Sequence, residues 1–181
     1  RRATEANRFG YPTKIAFDER DACALHRHVG AGTHRDSNFG FAAVDFKETN
    51  KLIAGTIGKS KTRLHIVPGF IASEREGFTT TLGRGGSDYT AAIFAAALDA
   101  EILEIWTDVS GMMSADPRFV RNVRQIPRIN YREAMELSHF GAKVIYPPTI
   151  QPVMAKGIPV LVKNTFEPDA AGTLIEAESP D

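Results

Sequence analysis

Arg84 and Asp88 stand four positions apart in the stretch Thr79-Thr80-Thr81-Leu82-Gly83-Arg84-Gly85-Gly86-Ser87-Asp88-Tyr89-Thr90. Glycine lets a backbone bend sharply or lie against a ligand, and this stretch has three. The threonines read as the end of an extended segment, and Ser87 or Asp88 as the N-cap of a helix that the apolar run 91–98 continues. A loop that ends on a helix offers backbone N–H groups and the positive end of a helix dipole, which suit an anion. Here a fixed cation and a fixed anion are added, so the site suits a zwitterion better than a lone phosphate.

Three further charged residues could do chemistry. Thr107-Asp108 follows the apolar segment 102–106, and ligands of open α/β sheets bind at the carboxyl ends of strands. Asp108 is equally well placed to cap the turn Val109-Ser110-Gly111. Arg118, in Ser114-Ala115-Asp116-Pro117-Arg118, could meet a phosphate or lie on the surface, and spacing leaves both open. Lys143 lies among apolar residues in Gly141-Ala142-Lys143-Val144-Ile145, where a lysine either snorkels or meets a ligand phosphate. The basic run at 59–63 reads as a charged loop. Cys23, His26, His28 and His34 have the residue types of a zinc site, but their spacing matches no recurrent ligand pattern, and a polar irregular lead-in is the preferred reading.

The elements that must position these residues alternate. Residues 64–67 read as a strand closed by Pro68-Gly69, 89–100 as a buried alanine-rich helix, and 102–106 as a strand. Asn130 and Glu133 form a capping box that opens a helix to about His139, stopped by Gly141. A helix from Pro147 ends at Gly157, a strand covers 159–162, and a turn and final strand cover 167–175. Phe39, Phe41, Val44 and Phe46 read as packing residues. Strands alternating with helices argue for an α/β fold with a mainly parallel sheet.

At 181 residues, one domain with a substantial core is expected. The 22 basic and 22 acidic residues cancel, so no global field draws nucleic acid or an anionic membrane, and neither is expected as a partner. A single cysteine excludes an internal disulfide framework and fits a reducing, cytoplasmic setting. The longest apolar run falls far short of the roughly 20 residues of a membrane span, and no signal-peptide pattern is seen.

Five ordered blocks carry a family pattern: the stretch 79–92, then Trp106-Thr107-Asp108-Val109, Ala115-Asp116-Pro117-Arg118, Phe140-Gly141-Ala142-Lys143-Val144 and Val162-Lys163-Asn164-Thr165-Phe166. Together they resemble the kinase domain of aspartokinase, over roughly residues 36–175, in the style of bifunctional aspartokinase–homoserine dehydrogenases. The resemblance implies the amino-acid kinase fold, a three-layer α/β/α sandwich, incomplete here at its N-terminal side. It implies transfer of the γ-phosphoryl of MgATP to the side-chain carboxylate of L-aspartate, opening the biosynthesis of lysine, threonine and methionine. Mg²⁺ would accompany ATP and need few protein ligands, no protein metal site is expected, and the full-length protein would be a homo-oligomer.

Residue by residue, the resemblance implies that Arg84 binds the α-carboxylate of aspartate, while Ser87 and Asp88 hold the substrate and its ammonium end and Phe70 borders the pocket. Thr107 and Asp108 would contact the nucleotide, Arg118 would reach its phosphates, and Lys143 would lie beside it. Asp88 and Lys143 are the expected catalytic pair. The pattern also departs from the family. No Lys-Phe-Gly-Gly loop occurs in residues 1–35, which read as an unassigned lead-in of disordered or artefactual character. Met113 stands where a tyrosine is common, residues 176–181 read as a polar tail, and no ACT-domain segment is expected within these residues. Two other readings stand beside the leading one: a truncated, non-catalytic fragment that binds nucleotide or substrate, and another amino-acid kinase.

Overall fold

The sequence Ala100-Glu-Ile-Leu-Glu-Ile-Trp-Thr107 alternates in a way that only a strand between two unlike surfaces satisfies. In the computed structural model it is the longest of the described strands, with Leu103 and Ile105 fully buried on one face and Ile102, Glu104 and Trp106 half-buried on the other. The structure describes residues 2–6, 13–17, 43–62, 64–73, 79–116, 118–140 and 144–178. Cys23, His26, His28, His34 and Lys143 lie outside the described residues.

In chain order the elements are β1 (Arg2–Ala6), β2 (Thr13–Phe17), α1 (Phe46–Ile57), β3 (Leu64–Val67), β4 (Ile71–Ser73), β5 (Thr79–Thr81), α2 (Gly86–Ala97), β6 (Ala100–Thr107), β7 (Arg128–Asn130), α3 (Tyr131–Phe140), α4 (Ile150–Met154), β8 (Val160–Asn164) and β9 (Thr173–Glu176). The main sheet runs β3-β2-β1-β6-β8-β9-β7. Parallel pairing joins β2 to β3, β6 to β8 and β7 to β9, and the other three neighbours are antiparallel. A separate hairpin pairs β4 with β5. The α/β class expected from the sequence is observed.

Helix α2 is the centre of the core. Ala91, Ala92, Ile93, Phe94 and Ala95 are all fully buried, because small alanines let the helix approach the sheet at β6 and β1 while α1 and α4 pack on its other sides. The described helices join a single apolar cluster with Leu103, Ile105, Val160, Val162 and Ile175. Helix α1 begins at Asp45, whose carboxylate accepts the Glu48 N–H at 3.1 Å, and it buries Thr49, Ile53 and Ile57 at four-residue spacing. No described helix is long and apolar enough to cross a membrane.

Candidate active site

The glycine stretch is built by a hairpin, a turn and a helix start. Strands β4 and β5 pair Ala72 with Thr80 and lead the chain to Leu82, whose N–H bonds the carbonyl of Phe70 at 2.9 Å. Thr90 Oγ1 accepts the Phe70 N–H at 3.0 Å and donates to the Gly86 carbonyl at 2.8 Å. Both peptide groups of Phe70 are thereby fixed, which holds it at φ 73°, a left-handed conformation costing a non-glycine residue roughly 1–2 kcal/mol. Its ring, 41% exposed, rests on Gly86, where an added Cβ would come within 2.9 Å of ring carbon Cδ2. A Cβ on Gly69 would likewise stand 2.8 Å from Ser87 Cα. Phe70 thus borders the helix start.

The N-cap of α2 is Gly85, at φ 72° and ψ 11°, with no side-chain cap bond. This corrects the expected cap at Ser87 or Asp88. Two left-handed glycines, Gly83 and Gly85, turn the chain tightly enough for Gly86 N–H to bond Gly83 O at 3.0 Å, so the helix starts earlier than the side chains suggest. Ser87 and Asp88 therefore lie in the first turn, with Asp88 only 7% exposed and favoured by the helix dipole. Arg84 is exposed on the turn before them.

Thr107 and Asp108 lie at the carboxyl end of β6, where the Thr107 hydroxyl donates to Asp108 Oδ1 at 3.1 Å. Asp108 is exposed. The Leu98-Asp99 turn reverses the chain between α2 and β6, so the start of α2 and the end of β6 share one end of the sheet. The parallel register Thr107↔Asn164 brings the end of β8 there too.

Arg118 is engaged locally. Its Nε donates to both Asp116 oxygens at 3.1 Å and its Nη2 to Oδ2 at 2.6 Å. The Arg118 side chain is 81% exposed and that of Asp116 16%. Hydrogen bonds from the Arg118 side chain and backbone hold the Asp116 carboxyl below its ordinary range. Both sit on an excursion whose base is closed by a Met113↔Gln125 bridge and by Ile126 N–H on Met112 O at 2.9 Å.

Two supports were not read from the sequence. Asn164, 7% exposed, donates to Ser110 Oγ at 2.9 Å, and Ser110 donates to Glu167 Oε2 at 2.8 Å, which ties the loop after Asp108 to the loop after β8. An asparagine ending the apolar strand Val160–Asn164 was the available signal. Tyr146 packs its side chain onto Gly85 and meets Tyr89 edge-on, with ring centroids 6.5 Å apart. Burial first, and then Tyr146, push the Tyr89 phenol above its ordinary range.

Comparison with known proteins decides the family, because the pattern described as the Amino acid kinase family matches residues 21–164. The chain belongs to the amino acid kinase family. Within that family it is similar to the bifunctional aspartokinase/homoserine dehydrogenase of Haemophilus influenzae, 48% identical over 136 residues, covering 75% of this chain and 16% of the relative. It is similar also to lysine-sensitive aspartokinase 3 of Escherichia coli, 43% identical over 165 residues, covering 90% of this chain and 37% of the relative. Among solved structures, E. coli aspartokinase III in complex with aspartate and ADP, in its R-state, matches with a TM-score of 0.79 at 40% identity, over 87% of this chain and 34% of that one. This amino acid kinase chain therefore spans well under half of those relatives' length.

Proposed function

We propose that the chain carries part of an aspartate kinase site, one that transfers the γ-phosphoryl of MgATP to the side-chain carboxylate of L-aspartate and yields aspartyl phosphate for the biosynthesis of lysine, threonine and methionine. The observation that carries the reading is the placement of Arg84, Ser87 and buried Asp88 on one glycine-bounded helix start, with Phe70 at its border. Arg84 offers a planar donor pair to the α-carboxylate, and Asp88 and Ser87 face the ammonium end. Similarity to a kinase solved with aspartate and ADP supports the same assignment.

The acceptor carboxylate is already a nucleophile, so no general base is needed. The barrier is the approach of two anions, which fixed positive charge and positioning must lower. Thr107 and Asp108 serve the nucleotide, Arg118 its phosphates, and Lys143, by the resemblance, acts beside the nucleotide. Mg²⁺ would arrive with ATP and neutralise phosphate charge; the exposed Asp108 carboxylate suits a hard cation that keeps most of its ligands as phosphate and water. The full-length protein is proposed to be a cytoplasmic homo-oligomer; the lone cysteine fits the reducing setting, and the oligomer rests on the resemblance alone.

A coupled assay of ADP release with L-aspartate, run beside an ATP-binding titration, tests the reading. Turnover that needs aspartate is expected, and Arg84→Ala should raise the aspartate KM about a hundredfold. An unchanged KM would remove Arg84 from the site. Binding without turnover would instead favour a second reading, a non-catalytic binding fragment, to which the engagement of Arg118 by Asp116 lends support.

A further inference from the structure

We propose that Tyr146 is a positioning residue for the acceptor loop, its side chain holding Gly85 in the left-handed conformation that sets the direction of Arg84, Ser87 and Asp88. The inference rests on the reading of that loop as the aspartate site.

Gly85 needs such a support. Glycine loses more conformational freedom on folding than any other residue, and here it stands at a helix start with no side-chain cap. What restrains it is the packing of Tyr146. An added Cβ at Gly85 would meet Tyr146 Cβ first, then Cγ at 2.6 Å and Cδ1 at 3.1 Å, so the base of the side chain and the near edge of the ring lie over the glycine. The contact also excludes any side chain at position 85, where the left-handed φ of 72° independently favours glycine.

Tyr146 is itself held on two sides. Its carbonyl accepts the Thr149 N–H at 2.9 Å, at the start of the short 3₁₀ turn Pro147–Thr149 that packs against α2. Its ring meets Tyr89 at an interplanar angle of 77°, and Tyr89 meets Phe46 of α1 at 74° with centroids 6.4 Å apart. Tyr89 N–H in turn bonds Gly85 O at 3.1 Å. The brace is therefore a closed circuit: the ring rests on Gly85, Gly85 bonds Tyr89, and Tyr89 packs edge-on against the ring. Removing the ring opens the circuit at the residue beside Arg84. Retaining the ring without its hydroxyl leaves the circuit closed, since no part of it uses the phenol oxygen.

The test compares the 181-residue chain with its Tyr146→Phe and Tyr146→Ala variants by amide hydrogen exchange and by calorimetric titration with L-aspartate and, separately, with a non-hydrolysable ATP analogue. Tyr146→Ala is expected to speed exchange at Gly85, Gly86 and Tyr89 and to weaken aspartate about tenfold, with nucleotide affinity kept within about twofold. Tyr146→Phe should match the parent in all three. Unchanged exchange at Gly85 and Gly86 in the alanine variant would overturn the inference. So would an equal loss of both affinities, which marks a general packing role. If the parent chain binds no aspartate, the functional reading falls, while the exchange comparison still decides what Tyr146 does to Gly85.

Discussion

Thr173 shows how one hydroxyl can hold three segments. Fully buried, it accepts the Met112 N–H at 2.8 Å and donates to Ile126 O at 2.6 Å, closing the base of the excursion that carries Arg118. Thr173→Val keeps the shape but removes the partner of the buried Met112 N–H and of the part-buried Ile126 carbonyl, and it should cost about 1–3 kcal/mol in urea unfolding, with Thr173→Ser much milder. Asp116 gives a pH signature. Its carboxyl is depressed below the ordinary 3.8, so its contribution to stability is full above that value and fades as pH falls through the lower folded one. An NMR titration of Asp116 should show a midpoint below 3.8 that returns to the ordinary range in Arg118→Ala. At this scale Arg84, Ser87 and Asp88 were legible because their charges and glycines lie together in the sequence. Tyr146 and Asn164 were not, since each acts on a loop about fifty or more residues away, and no local pattern records such a contact.

Among the elements, α3 was the most legible. Asn130 Oδ1 accepts the Glu133 N–H at 3.0 Å and Glu133 Oε2 accepts the Asn130 N–H at 3.1 Å, the reciprocal pair that the sequence announces. Asn130→Ala should destabilise the chain by about 1 kcal/mol, read as a lowered thermal midpoint, and Asn130→Asp should be nearly neutral. Helix α1 is marked by Asp45, Glu48 and the spacing of Thr49, Ile53 and Ile57, but its first residue, Phe46, continues the apolar series Phe39, Phe41 and Val44, whose spacing has no helical period. Strand β7 is three residues long and carries no alternation to detect.

On the scale of the molecule, the α/β class followed from the alternation of elements, but the order of strands did not, since β1 and β2 come from the least legible part of the chain. The sheet ends on β3 among the described strands, with Leu64 and Ile66 about half exposed on one side of it. An apolar edge strand templates association. Ile66→Lys should lower concentration-dependent self-association in sedimentation velocity without changing the thermal midpoint by more than a few degrees.

The excursion between Met113 and Gln125 has a clamped base and an exposed outer part, with Phe119 84% exposed and Arg121 on the surface. Its peptide bonds can therefore be broken without undoing what they connect. Brief trypsin treatment should nick the chain after Arg121, yet the two pieces should elute together and melt as one, separating only in denaturant. The same tolerance makes this tip the place where an inserted tag or reporter sequence would leave the sheet and the glycine loop undisturbed.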